Sequence, residues 1–259
     1  MSYEASALGK DNSLEHQRLR TLERSCDPAT FDVMAALGPR PGWRCLDVGA
    51  GGGSVARWMA ETIPRAEVVA TDLDVRFLAD LRPAVTVAEH DLTSESPPPG
   101  GPFDLIHCRL VLEHIAARDL VLAKIAGWLA PGGWLVISGV DIAAGLGSPH
   151  TPLRTIVAAM TGLIAAQVGT DTTFMRRVPA LMGQAGLAQI RLRGDTLIVG
   201  DGSLTDAFFR SMLHQVSAPL IAHGLSSESE LSALTRWFDE PGSIDVIGLH
   251  LITWGRRAA

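Results

Sequence analysis

Between residues 43 and 140, short apolar runs alternate with helical ones, and this alternation restricts the chain to one broad architecture. "RCLDVGA", "EVVATDL", "AVTVAEHDL", "FDLIHCR" and "GWLVISGV" have the length and apolar content of strands. Between them lie helical segments such as "SVARWMAET" and "LVLAKIAGWLA". Strands that alternate with helices pair in parallel, because each crossover carries the chain back across the sheet. The expected result is an α/β fold, with a parallel sheet wrapped on both faces. "PPPGGP" at 97–102 reads as a connecting turn and not as a domain linker.

The flanking regions are more helical. "SLEHQRLRTLERSCD" predicts an amphipathic helix with Leu14, Leu19 and Leu22 on its apolar face. "DPATFDVMAALG" predicts a second helix, capped by Asp27, with Pro28 in its first turn and Gly38 at its end. Residues 152–168 predict another. "RVPALMGQAG" is a short helix before the strand "AQIRLRGDTLIV". Two further helices, "LTDAFFRSMLHQVSAPLIAHG" and "SESELSALTRWFD", precede a long closing strand, "SIDVIGLHLITWGRR".

Composition narrows the partners. The 259 residues suit one large domain, or a domain with a cap. A net charge of -6 and the lack of a basic run argue against nucleic acid. The N-terminus lacks the apolar core of a signal peptide, and apolar stretches of spanning length are interrupted by charge, Pro or Gly. No membrane partner is expected. The three cysteines, Cys26, Cys45 and Cys108, are odd in number and lack metal spacing. They fit a reducing compartment, and the expected location is cytoplasmic.

One segment is too costly for a plain core. "LDVGAGGGSVARWMAE" places four glycines and one alanine in the five positions 49–53. Glycine loses the most backbone entropy on folding, so such a cluster marks an unusual turn or a close backbone approach. It lies between the first strand and the first helix of the alternating region. Ligands of open α/β sheets bind there, at the carboxyl ends of strands.

The residues around the loop discriminate among ligands. No lysine follows it, so a P-loop is excluded. Gly51, Gly53 and Ala56 fit the dinucleotide pattern, although that match alone is weak. Asp47, two residues before Gly49, suits an ammonium group better than a pyrophosphate. Asp72 ends the next strand and suits a ribose diol. Asp91, in "HDL", can accept from an adenine amine. Together they describe a ligand with a cationic part, a ribose and a base, and no phosphate.

In this order and spacing, "LDVGAGGG", "VVATDLD", "HDL", "FDLIHCRLVLEHI" and "LAPGGWLVISG" resemble the class I S-adenosylmethionine-dependent methyltransferases. The resemblance covers residues 40–140 and continues more weakly to the C-terminus, where the whole chain looks like bacterial methyltransferases of small-molecule and natural-product metabolism. It implies a Rossmann-like, doubly wound, seven-stranded and mostly parallel sheet with an antiparallel C-terminal strand, plus helical cap elements. The core would comprise 39–144, 176–202 and 241–259. Residues 1–38 would form an N-terminal helical cap, and 145–175 and 203–240 would be helical insertions over the active site.

The resemblance also implies roles. Asp47 would hold the methionine ammonium, directly or through water. Gly49, Ala50 and Gly51 would pass beneath the methionine and ribose. Asp72 would bind the ribose hydroxyls, with Leu73 packed on adenine. Asp91 would bind the adenine amine, beside the Leu92 amide. Cys108, just past the fourth strand, would offer backbone to the methionine part. Glu113 and His114 are the first candidates for a catalytic base, and His114 equally admits a packing role. His16, Glu23, His150 and His214 are further candidates, and Arg109 could contact substrate or an acid on a helix. No metal is expected, because "IHCRLV" stands where metal-dependent relatives begin their carboxylate cluster.

Met160, Phe174, Phe208, Phe209, Met212, Trp237 and Phe238 could line a pocket for a small-molecule substrate, or simply pack helices. The expected function is methyl transfer from S-adenosyl-L-methionine to an O, N or C atom of a hydrophobic or aromatic small molecule in secondary metabolism. The alternatives are a non-methylating S-adenosylmethionine-binding cyclase or regulator, and a nicotinamide-dependent oxidoreductase. The resemblance leaves room for a homodimer.

Overall fold

The computed structural model describes residues 15–259. Seven strands form one sheet: β1 Arg44–Val48, β2 Glu67–Asp72, β3 Thr86–Glu89, β4 Phe103–Arg109, β5 Leu129–Asp141, β6 Leu187–Val199 and β7 Asp245–Arg257. The helices are α1 Glu15–Ala36, α2 Ser54–Thr62, α3 Arg118–Gly127, α4 Ala143–Leu146, α5 Thr151–Val168, α6 Val178–Gln184, α7 Leu204–Ala222 and α8 Glu228–Asp239. Strand order is β3-β2-β1-β4-β5-β7-β6. The first five strands pair in parallel, and the sheet as a whole is mostly parallel with antiparallel pairing at its C-terminal end. The expected seven-stranded, Rossmann-like sheet is borne out.

The chain forms two compact units. The sheet unit comprises Cys26–Gly139, Phe174–Gly194 and Leu251–Ala259; the helical unit comprises residues up to Ser25, Val140–Thr173 and Asp195–His250. In the sheet unit, side chains alternate between two cores with the strand period of two. Leu46, Val48, Ile106, Cys108, Leu135 and Ile137 share one core with Leu122 and Ile125 of α3 and Met182 of α6. Cys45, Ala70, Leu105 and Val136 share the other with Val33 and Met34 of α1 and Val55 and Met59 of α2. Burying each of these larger apolar side chains contributes roughly 1.5–3 kcal/mol.

In the register of the parallel sheet, Asp47 of β1 stands beside Ala70 of β2 on one side and His107 of β4 on the other. Strand order reverses between β1 and β4, so the loops leaving their carboxyl ends diverge and leave a crevice. Loop 49–53 leaves one side of that reversal, and the segment after Arg109 leaves the other.

Two helices were expected where α1 is one. Pro28 sits inside it, and Asp27 does not cap a second helix. An interior proline costs about 3 kcal/mol. Burial offsets this cost, since Cys26, Thr30, Val33 and Met34 all turn inward. Asp27 is also occupied elsewhere, as described below. Leu14 lies outside the described residues.

The helical unit packs α5, α7 and α8 through Leu153, Ile156, Leu163, Phe209, Val216, Leu220, Leu234 and Trp237. By length and hydropathy alone, α5 could cross a membrane, with 18 residues and a mean hydropathy of 1.2. Its apolar side chains are used in this packing: Leu153, Ile156, Val157, Ala159, Met160 and Leu163 are buried.

Candidate functional site

The glycine loop needs its glycines for two physical reasons. Gly49, Gly51 and Gly53 all have positive φ, at 63°, 59° and 84°. A side chain is strained in that region. Space is also lacking at Gly49, where a Cβ would stand 2.3 Å from Val111 Cγ2.

Two carboxylates brace the loop. Asp72, at the end of β2, accepts from the Gly51 N–H through Oδ2 at 2.8 Å and from the Asp74 N–H through Oδ1 at 3.2 Å. Asp47 spans the loop's ends. It precedes the loop by two residues, and its Oδ2 accepts from the Ala56 N–H beyond the loop, in the first turn of α2, at 3.1 Å. That turn has no side-chain cap of its own, because its N-cap is Gly53 in the left-handed region. Asp47 thus does the work of a capping residue from the neighbouring strand. Its Oδ1 is 2.8 Å from His107 Nδ1.

Asp47 is 2% exposed, and both of its oxygens are engaged by protein groups, so it also shapes the loop. Sequence reasoning missed His107: a lone histidine in the apolar run "FDLIHCR" carries no local signal that separates it from core.

The other predicted residues fall as follows. Leu73 is 46% exposed beside Asp72, the state of a side chain with an uncovered apolar face. Asp91 lies in the turn after β3 and not in the strand itself. Its Oδ1 accepts from the Thr93 N–H at 2.7 Å and the Thr93 hydroxyl at 2.8 Å. These bonds hold its carboxyl below the usual range. Leu92 is buried, and Lys124 of α3 donates to the Leu92 and Ser94 carbonyls, tying down this turn. Cys108 lies inside β4 and not past its end, paired with Val48 and Ile137. Burial pushes its thiol well above the ordinary value, and Glu113 and Asp47 add to the shift.

Glu113 and His114 form a single 3-10 turn directly after β4. Glu113 is 5% exposed, with Oε1 against the α-carbon of Gly139, where a Cβ would come within 3.0 Å. His114 is half-buried. Arg109 meets an acid on a helix, the second of its two expected roles. Its Nη1 donates to Asp27 Oδ1 at 2.8 Å and its Nη2 to Ser54 Oγ at 3.3 Å, and Ser54 Oγ donates to the same Asp27 oxygen at 3.0 Å. Burial alone would lower the Arg109 pKa, but Cys26, Asp27 and Asp47 outweigh it and hold the guanidinium above its ordinary value.

Among the remaining candidates, His16 and His214 are exposed, and Glu23 is half-buried on α1. His150 packs on Trp237 with ring centres 5.1 Å apart. Phe174, a candidate lining residue, is fully buried in the core of the sheet unit. Met160, Phe209 and Trp237 are buried in the helical unit, with Met212 and Phe238 packed against them. Phe208 is half-buried.

Comparison with known proteins adds a family. Residues 46–135 match the model of a methyltransferase domain. Methyltransferase str2 of Strobilurus tenacellus is 30% identical over 152 residues, covering 58% of this chain and 55% of that protein. A ubiquinone biosynthesis O-methyltransferase of Xanthomonas campestris pv. campestris is 36% identical over 125 residues, covering 44% of this chain and 50% of that one. The chain therefore spans about half the length of these curated relatives. The mycolic acid cyclopropane synthase CmaA1, solved with SAH and CTAB, shares the fold at a TM-score of 0.58 and 17% identity, over 90% of this chain and 85% of that one. The matched segment begins at β1 and runs into β5, so it contains the glycine loop, Asp72, Asp91 and the turn after β4. Residues 46–135 thus carry a methyltransferase domain, and the chain is similar to class I S-adenosylmethionine-dependent methyltransferases.

Proposed function

We propose that the chain binds S-adenosyl-L-methionine at the ends of β1, β2 and β3 and transfers its methyl group to a small molecule. One observation carries this reading: at the point where strand order reverses, a left-handed glycine loop is pinned by the carboxylate at the end of β2. The residues suit this cofactor. Asp72 accepts from the Gly51 N–H through Oδ2 and from the Asp74 N–H through Oδ1, which sets its carboxylate at the edge of the loop, where a ribose diol would lie. Leu73 offers an exposed apolar face to an adenine ring. The two Thr93 bonds fall on Asp91 Oδ1, so Oδ2 can serve an exocyclic amine. Gly49, Ala50 and Gly51 offer backbone and at most a methyl group to a ligand lying against the loop.

When bound, the cofactor supplies a methyl group already made electrophilic by a sulfonium. The protein's task is then to align the acceptor with the methyl and sulfur, and to take a proton where the acceptor must lose one. Glu113 and His114, after β4, are the proposed residues for the second task. The acceptor is proposed to be an O, N or C atom of a hydrophobic or aromatic small molecule in secondary metabolism. The names of the relatives, which include an O-methyltransferase of ubiquinone biosynthesis, support a small-molecule acceptor, with oxygen first among the three atoms.

Calorimetry of wild-type protein and Asp72→Ala with S-adenosylmethionine, S-adenosylhomocysteine and NAD tests the reading. Wild type is expected to bind the first two and not NAD. Asp72→Ala is expected to lose roughly 1.5–3 kcal/mol of binding, as charge-assisted hydrogen bonds are removed. Binding of NAD alone would favour the oxidoreductase reading, and unchanged affinity in folded Asp72→Ala would remove the ribose assignment.

A further inference from the structure

The Asp47–His107 pair is a fully buried polar contact in the sheet unit, and the cofactor assignment gives His107 no role. Asp47 is 2% exposed and His107 1%. Both lie on the α2 side of the sheet, adjacent in register between β1 and β4. A carboxylate only accepts, so His107 Nδ1 carries the proton of the 2.8 Å bond and donates it to Oδ1. Nε2 is buried without a hydrogen-bond partner among the described residues. The ring therefore spends its polar capacity on Asp47.

That single bond has leverage because of what Asp47 does with its other oxygen. Oδ2 reaches Ala56, so backbone from 47 to 56 and one carboxylate close a ring around the glycine loop. Inside that ring, Asp72 holds the Gly51 N–H. A carboxylate group is planar, and its two oxygens move together. Rotating Oδ1 away from His107 also swings Oδ2 off Ala56, and it releases the first turn of a helix that has no other side-chain cap. A glycine-rich loop has high intrinsic freedom, so its shape depends on such anchors.

We propose that His107 is a positioning residue for the cofactor site: by donating to Asp47, it holds the carboxylate in the orientation that clasps the two ends of the glycine loop. The proposal rests on the cofactor assignment above for its effect on affinity, and on geometry alone for its effect on the loop. His107 is too buried to meet a substrate and acts only through Asp47.

Variants without and with a donor, and two readouts, test it. His107→Phe fills the ring's volume without a donor; His107→Leu replaces it should the aromatic variant not fold. His107→Asn keeps a donor nitrogen at the position of Nδ1. Amide hydrogen exchange at Gly51 and Ala56 reads the loop, and calorimetry with S-adenosylmethionine reads the site. The donorless variant is expected to exchange the Ala56 amide faster and to bind about tenfold more weakly. His107→Asn is expected to stay near wild type in both, even where both variants melt earlier. Wild-type exchange at Ala56 in the donorless variant would overturn the proposal, as would equal loss in the asparagine variant. If wild-type protein binds no S-adenosylmethionine, the cofactor reading falls and the exchange data alone decide the role of His107.

Discussion

Asp47 and Asp72 are both aspartates at strand ends beside one loop, yet burial gives them different work. Asp72 is half-buried beside the loop; Asp47 is sealed, with one oxygen on the Ala56 amide and the other on His107. The same logic applies to Glu113 and His114. Glu113 is buried beside Gly139, and His114 is half-buried. If one of them removes a proton from the acceptor, Glu113→Gln or His114→Asn should lower turnover roughly 10²- to 10⁴-fold. Cofactor affinity should hardly change, because the base meets the acceptor. Melting temperature, calorimetric affinity and turnover, measured on each variant, separate this from packing. Full turnover in both would remove the pair from the site. Sequence could propose these residues because the segment after β4 has a motif; it could not rank them, because burial is decided by elements far away in the chain.

At the scale of elements, the strands from β1 to β5 were legible, since hydrophobic runs bounded by polar turns leave few other readings. The boundary inside α1 was not. Pro28 and Asp27 are the local marks of a helix start, but the buried face of Cys26, Thr30 and Val33 continues through them. Asp27 instead links three elements of the sheet unit, accepting from Arg109 of β4 and Ser54 of α2. Such a link is invisible in a sequence because its partners are 27 and 82 positions away. Removing one member leaves a buried guanidinium without its carboxylate. Asp27→Ala should cost about 3 kcal/mol in urea unfolding. Adding Arg109→Met should recover part of that loss, since the stranded charge goes with it. A cost under about 0.5 kcal/mol for Asp27→Ala would show the network to be dispensable.

At the scale of the whole molecule, the cysteines tie stability to alkaline pH. Burial pushes the Cys26 thiol up to about 11, with Arg109 opposing and Asp27 adding, and it pushes Cys45 up to about 12, with Asp104 adding. Above an ordinary pKa of 9.0, the unfolded chain releases these protons while the folded chain keeps them. The folded state then binds more protons than the unfolded one, so stability falls as pH rises from about 9 towards 11 and 12. Urea midpoints should therefore drop across that range, and iodoacetamide should label all three thiols only after unfolding. Rapid labelling of the native protein at pH 8 would contradict the burial on which this rests.

The helical unit is no continuous stretch of chain. The polypeptide changes unit five times, once in α1, once at Phe174, and once inside each of the long strands β5, β6 and β7. A gene fragment encoding it cannot be lifted out by one pair of breakpoints, and a crossover between homologous genes would splice mismatched halves of a strand. This unit is therefore assembled from three separate segments of the chain and not from one cassette. Hybrids between relatives should be built by grafting side chains onto an intact backbone.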